Sequence, residues 1–223
     1  SIMIFGIPHE LKDHETRVGC GLVPHNVATL VAQGHTVYFQ KGVMEPAGVP
    51  DEEFLKAGAK CVDTMEEVYE KSDFIAKFKD MTEGDMKMPF KRGQIIMTAF
   101  HMAEGTAKPE QVKALAEAGV TCISIETSRY PDGSRAMTRP MGEIAGRTAV
   151  LLGGQYLQRQ YGGSGVSIVP IIGARRARVC ILGGGHAGMC AAQVAEGMGA
   201  EVVVFDVNIQ RLEYLRTVLN NTA

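Results

Sequence analysis

RVCILGGGHAGMCAAQVAEGMGAEVVVFD, residues 178–206, strings together a short apolar run, a glycine turn, a helix-forming segment and a second apolar run ending in an acid. Residues 178–182 read as a buried parallel strand, 187–198 as a helix stopped by Gly199, and 201–205 as a second strand closing on Asp206. Between the first strand and the helix, Gly183-Gly184-Gly185-His186-Ala187-Gly188 satisfies G-x-G-x-x-G. Gly183 permits the tight turn, Gly185 lets the backbone approach a pyrophosphate, and Gly188 allows close helix–strand packing. Backbone N–H groups at the start of the helix, around His186 and Ala187, and the helix dipole favour phosphate charge there. The Asp206 carboxylate suits the two ribose hydroxyls of an adenosine and repels a 2′-phosphate, which favours NAD over NADP; Arg211 nearby tempers that preference. A glycine-rich turn alone is common in α/β domains. Strand before, helix after and an acid on the next strand make this one a dinucleotide-binding βαβ unit.

Upstream, short β-rich runs alternate with helical ones. Strands are expected at 2–7, 36–40, 60–62, 74–79, 94–100 and 121–126, and helices at 26–33, 51–57, 66–71 and 109–118. Such alternation is the signature of a parallel sheet covered by helices. Residues 130–140, rich in Pro, Gly, Asp, Ser and Arg, form the natural domain boundary. A long helix at 143–160 and a glycine break at 162–165 follow. The fold class is therefore α/β. Residues 1–135 form a flavodoxin-like parallel-sheet domain, and 136–223, with the linking helix, form part of a Rossmann dinucleotide-binding domain.

Composition narrows the partners. The chain has 223 residues, 45% of them hydrophobic, a formal net charge of −2 and a pI of about 6.3. That balance gives no electrostatic reason to expect nucleic acid or a membrane surface. No apolar stretch approaches the roughly 20 residues that cross a bilayer, and no secretory signal opens the sequence. The five cysteines, Cys20, Cys61, Cys122, Cys180 and Cys190, are scattered without a C-x-x-C pair. Most lie in apolar segments, so they read as reduced thiols in the cytoplasm, behaving as small hydrophobes.

Ligands of open parallel sheets bind beyond the carboxyl ends of the strands. In the first domain that rule selects Arg17 after the first strand, Lys79 ending 74–79, His101 following 94–100 and Glu126 ending 121–126. Two cations and a histidine on one sheet edge suit a small carboxylate with a carbonyl or amine to protonate. Taken singly, each has a blander reading. A strand-end Lys or Arg is usually a solvated charge, Lys77 is as eligible as Lys79, and a lone His after a strand is more often structural.

Several ordered motifs go further. They include Gly6-Ile7-Pro8 with Glu10, Lys12, Glu15 and Arg17-Val18, then Gly34-His35-Thr36-Val37, Lys77-Phe78-Lys79, Gly93-Gln94-Ile95 running to His101, and Glu126-Thr127. Pro140-Met141-Gly142-Glu143-Ile144-Ala145-Gly146-Arg147 and Gly197-Met198-Gly199-Ala200 leading into Asp206-Val207-Asn208 complete the set. With these, the chain resembles the alanine dehydrogenase and transhydrogenase α-subunit family along essentially its whole length. The histidine at 101 places it on the alanine dehydrogenase side.

The resemblance implies reversible oxidative deamination of L-alanine to pyruvate and ammonia with NAD. Arg17 and Lys79 would hold the substrate carboxylate and carbonyl, and His101 would be the general acid/base; Glu126, from the same sheet edge, is a further substrate-binding candidate. Met141 would stand beside the cofactor. It also implies a homo-oligomer, often a hexamer, and no metal, because the nicotinamide performs the redox step. Three departures stand out. Residues 17–24 replace the family's shorter R-V-A-x-T-P, which leaves open a different amino acid or an imine-reducing, opine- or saccharopine-type reaction. Gly142 occupies a position usually held by serine. The family's second mononucleotide unit has no counterpart before Ala223, so the chain is expected to be C-terminally truncated, and an inert nucleotide-binding fragment is the remaining alternative.

Overall fold

The computed structural model describes residues 1–12, 14–15, 22–102, 105, 107–135 and 137–220. It divides into two compact units, Ser1–Arg135 and Ala136–Ala223.

In the first unit the chain runs β1 (Ile4–Ile7), α1 (Pro24–Ala32), β2 (Thr36–Gln40), α2 (Asp51–Lys56), β3 (Lys60–Val62), α3 (Met65–Lys71), β4 (Phe74–Ala76), β5 (Ile95–Thr98), α4 (Pro109–Ala118) and β6 (Thr121–Ser124). All six strands pair in parallel, in the order β3-β2-β1-β4-β5-β6. This is the flavodoxin order with the short strand β3 added at one edge. The order reverses at β1, whose neighbours are β2 and β4, so a crevice opens beyond the carboxyl ends of those strands.

Alternate side chains of the strands feed two separate cores, because successive residues of a strand face opposite sides. Val37 and Phe39 of β2 pack with Ile7, Val27 and Phe54 under α1 and α2, with the Phe39 and Phe54 rings stacked at 4.9 Å. Ile75 and Ile96 pack with Val68, Tyr69 and Leu115 under α3 and α4. The α3 helix begins in a capping box: Thr64 Oγ1 accepts from the Glu67 N–H, and the Glu67 carboxylate accepts from the Thr64 N–H.

The second unit contains α5 (Arg139–Tyr156), β7 (Arg178–Leu182), α6 (His186–Gly197), β8 (Glu201–Phe205) and α7 (Ile209–Val218). β7 and β8 pair in parallel from Arg178↔Glu201 to Leu182↔Phe205. Val202 and Val204 face Ala191, Ala192, Ala195 and Leu215 of the helices. On the other face Leu182 is 84% exposed, beside exposed Cys180 and Phe205.

Element bounds shift from expectation for local reasons. α1 starts at Pro24 and α5 at Arg139, both earlier than predicted, because Pro24 and Pro140 sit in first turns, where the missing N–H costs nothing. β4 stops at Ala76 rather than residue 79: the Lys77 N–H still donates to the Met97 carbonyl of β5, but the Phe78 and Lys79 N–H groups turn to the Glu10 carboxylate instead. The cysteine reading needs correction: Cys190 is buried, but Cys61 and Cys180 are exposed, since their strand positions face outward. Cys20 lies outside the described residues.

Candidate functional site

The crevice between β1 and β4 is organised by Glu10, three residues past the end of β1. Its carboxylate accepts hydrogen bonds from Lys77 Nζ at 3.0 Å, from the Phe78 N–H at 2.5 Å and from the Lys79 N–H at 3.2 Å. Lys77 is wholly buried and also pairs with Asp85 at 3.2 Å. Asp85 in turn accepts from the N–H and Oγ of Thr82 at 2.8 and 2.9 Å. Each buried charge of this network faces an opposite charge, as buried charge requires, with Asp85 Oδ1 held by the ion pair to Lys77 alone.

Lys79 differs from Lys77 in the respect that matters for a ligand. Its main chain is fixed at both ends, the N–H by Glu10 and the carbonyl by Thr98 Oγ1 at 2.6 Å. Its side chain is half-buried, and among the described residues no carboxylate pairs with it. The two lysines that the sequence left equivalent thus differ: Lys77 is taken up by the scaffold, and Lys79 has no carboxylate partner among the described residues.

His101 lies three residues beyond β5 with φ +53°, a left-handed backbone unusual outside glycine. The Glu126 carboxylate, two residues beyond β6, accepts the His101 N–H at 2.5 Å. This charge-assisted bond offsets the strain, about 1–3 kcal/mol, of holding that conformation. The second oxygen of Glu126 is buried and lacks a hydrogen-bond partner, in a residue only 8% exposed. An orphaned carboxylate oxygen is costly unless a ligand or water donor completes it. At the ring, His101 Nε2 lies 3.2 Å from Asp80 Oδ1, while Asp80 Oδ2 accepts from Lys12 at 3.3 Å. Burial pushes the Asp80 carboxyl up, but the hydrogen bond and charge of Lys12 and the charge of His101 outweigh it and hold the group below the ordinary carboxylate range. His101, Asp80 and Lys12 line a cleft of about 300 Å³ floored by Phe100, Met102 and Leu115.

Of the residues selected from the sequence, His101 and Glu126 are in direct contact, and Lys79 stands three residues past β4, the strand adjacent to β5. Arg17 lies outside the described residues. Glu10, Asp80 and Asp85 were not singled out as site residues. For Glu10 and Asp80 the partners lie 67 and 21 residues away in the chain, so no local pattern announces those two.

In the second unit Gly183 has φ +98°, the conformation that its turn requires. A Cβ at Gly188 would lie 1.9 Å from the Gly183 carbonyl oxygen, so α6 could not approach the turn with any other residue there. Around Gly185, which caps α6 without a side-chain acceptor, a Cβ would meet nothing within 4 Å. That open approach, with the first N–H groups of α6 behind it at His186 and Ala187, fits a pyrophosphate. Asp206 accepts from the Gly184 N–H at 2.6 Å and the Asn208 N–H at 2.8 Å. The Asn208 and Gly184 bonds overcome a small desolvation and hold its carboxyl below the usual range. Asp206 also borders a cleft of about 470 Å³ with Leu182, Gly183, Phe205 and Val207. Arg211 donates through Nε to the Gly184 carbonyl and lies 4.8 Å over the Tyr214 ring. Met141 is half-buried in the first turn of α5, next to Gly142, where a Cβ would reach 3.7 Å from the Ala187 nitrogen.

Comparison with known proteins places this geometry. The profile of the alanine dehydrogenase/PNT N-terminal domain matches residues 6–145, and that of the C-terminal domain matches 149–223. The alanine dehydrogenase of Methanococcus maripaludis is 40% identical over 219 residues, covering 98% of this chain and 57% of that protein. A solved L-alanine dehydrogenase superposes with a TM-score of 0.89 at 36% identity, over 99% of this chain and 60% of the other. A transhydrogenase from Sinorhizobium meliloti, at 22% identity and a TM-score of 0.81 over 98% of this chain and 61% of its own, shares the fold. The chain thus spans little more than half the length of the relatives it matches. On matches to both domains over nearly all its residues, the chain belongs to the alanine dehydrogenase/PNT family.

Proposed function

We propose that the protein is an NAD-dependent L-alanine dehydrogenase, converting L-alanine and water to pyruvate and ammonia reversibly. One observation carries the reading: His101 is fixed by a carboxylate at its backbone, and Lys79, three residues past the adjacent strand β4, has no carboxylate partner among the described residues. The names of the relatives support the same chemistry. When bound, NAD accepts the hydride from the substrate Cα. Lys79 stabilises negative charge on the carbonyl-side oxygen, and His101 takes the proton from the attacking water and returns it in reverse. Arg17 grips the substrate carboxylate, as the resemblance implies. Glu126 offers its unpartnered oxygen to a donor on substrate or water.

Gly183, Gly185, His186, Ala187 and Gly188 hold the pyrophosphate, Asp206 takes the adenosine ribose, and Met141 borders the cofactor. Asp206 keeps acceptor capacity beyond its two backbone bonds and would repel a 2′-phosphate, while Arg211 is engaged through Nε by Gly184, so NAD is favoured over NADP. Asp206→Asn should raise KM for NAD roughly tenfold, the loss expected for one charge-assisted hydrogen bond, and narrow the NAD/NADP gap. Steady-state assays with both cofactors check this, and an unchanged NAD/NADP ratio would remove Asp206 from the ribose site.

Exposed Ile144, Leu151, Leu152 and Tyr156 on α5 support a homo-oligomer, with the hexamer of the resemblance as the form to test. The described cysteines are free, which suits the cytoplasm. The direct test of function follows NADH formation by the full-length protein with L-alanine, and NADH consumption with pyruvate and ammonia. Turnover only with lysine or ornithine plus a keto acid would transfer the protein to imine-reducing chemistry, and nucleotide binding without any turnover would reject the dehydrogenase reading.

A further inference from the structure

We infer that Asp80 is a positioning residue for His101, orienting the imidazole through Nε2 and being itself fixed by Lys12. The inference rests on the reading of His101 as the proton-transfer group. It begins from the chain order: Asp80 directly follows Lys79, so one short segment carries both the carbonyl-side ammonium and the carboxylate facing the histidine.

Both ends of the Asp80–His101 pair are anchored independently of the pair itself. On the Asp80 side, Glu10 holds the N–H groups of Phe78 and Lys79, and Thr98 holds the Lys79 carbonyl. Past Asp80, the Thr82–Asp85 bonds close the turn. On the histidine side, Glu126 fixes the backbone in its left-handed conformation. The Asp80 carboxylate, 3.2 Å from Nε2, adds an attraction that biases the orientation of the imidazole itself. The contact is electrostatic rather than a formed hydrogen bond, since Asp80 Oδ1 has no hydrogen-bond partner, and the anion favours the neutral ring form with its proton on Nε2.

Asp80 divides its oxygens between its partners, Oδ1 to His101 and Oδ2 to Lys12, so the carboxylate cannot swing away without losing Lys12 as well. Both side chains of the pair reach solvent, at 30% and 41% exposure. A pair so placed contributes little to stability. Its effect is geometric, and removing it should slow the reaction without unfolding the protein.

The experiment uses the full-length enzyme. Asp80→Asn should lower kcat roughly tenfold in both directions, a fraction of the 10²–10⁴ that general acid–base catalysis contributes as a whole. KM for NAD should stay within twofold, and Asp80→Glu should recover most of the loss. In a His101→Asn background, Asp80→Asn should cause no further loss, because a residue acting through the imidazole has nothing left to orient. With selectively ¹⁵N-labelled histidine, and His101→Asn used for assignment, the neutral ring should carry its proton on Nε2 in the parent and a mixture of tautomers in Asp80→Asn. An Asp80→Asn enzyme within twofold of the parent, or a loss that multiplies that of His101→Asn, overturns the inference alone. Full turnover by His101→Asn overturns the underlying reading together with it.

Discussion

His101→Asn should lower kcat for alanine oxidation by about 10²–10⁴, the range that a positioned acid/base group contributes. Asparagine is the informative replacement, because it tolerates a backbone φ of +53° better than most residues and so leaves the loop and its bond to Glu126 in place. Alanine would add backbone strain to the loss of chemistry and blur the result. Cofactor affinity should hardly change, since the glycine turn and Asp206 belong to the other unit. Stopped-flow or steady-state measurement of NADH in both directions, with KM for NAD as control, checks this. Turnover within threefold of the parent would take His101 out of the reaction.

The second large effect is on stability. Lys77→Met should destabilise the Ser1–Arg135 unit by about 3–5 kcal/mol, because it leaves two buried carboxylates, Glu10 and Asp85, without their shared cation. A domain of this size has only about 5–15 kcal/mol in total, so the variant should be marginally folded or recovered as aggregate. Methionine keeps the length and apolar stem of lysine, which confines the change to the lost charge. Lys79→Met is the contrast: its ammonium is half-buried and unpaired among the described residues, so stability should shift by under about 1 kcal/mol while turnover is lost. Urea midpoints of the two variants, measured on the same full-length protein, separate the roles. Equal stabilities would mean that the buried network is dispensable.

The contrast between these lysines marks the limit of what sequence could reveal. The βαβ unit was legible because its signals are local: apolar runs, a glycine turn and Asp206 all fall within 29 residues. Strand-end candidates were legible through the rule that ligands gather at carboxyl ends, which selected His101 and Glu126. That rule does not separate Lys77 from Lys79, two residues apart, because the difference comes from Glu10, 67 residues away in the chain, and Asp85 both closing on one of them. The same long-range closure ended β4 early and kept Asp80 out of view. The exposed faces of Cys61 and Cys180 were missed for a related reason: an apolar run does not state which of its alternating residues is covered.

The three-way grip of Glu10 on Lys77, Phe78 and Lys79 also bears on how this crevice can drift under mutation. Two of the three bonds run to main-chain N–H groups, which substitution at 78 or 79 leaves in place, so side chains there are free to vary as far as Glu10 is concerned. The third couples Glu10, Lys77 and Asp85 into a set whose members cannot be exchanged one at a time without stranding a buried charge. Neutral change at that set must therefore arrive in concert, through charge-balanced replacements or a wholesale switch to apolar packing. Lys12 and Asp80, which reach solvent, carry no such restriction on single steps. Within a few residues the crevice thus joins a nearly frozen scaffold to a rim open to gradual retuning.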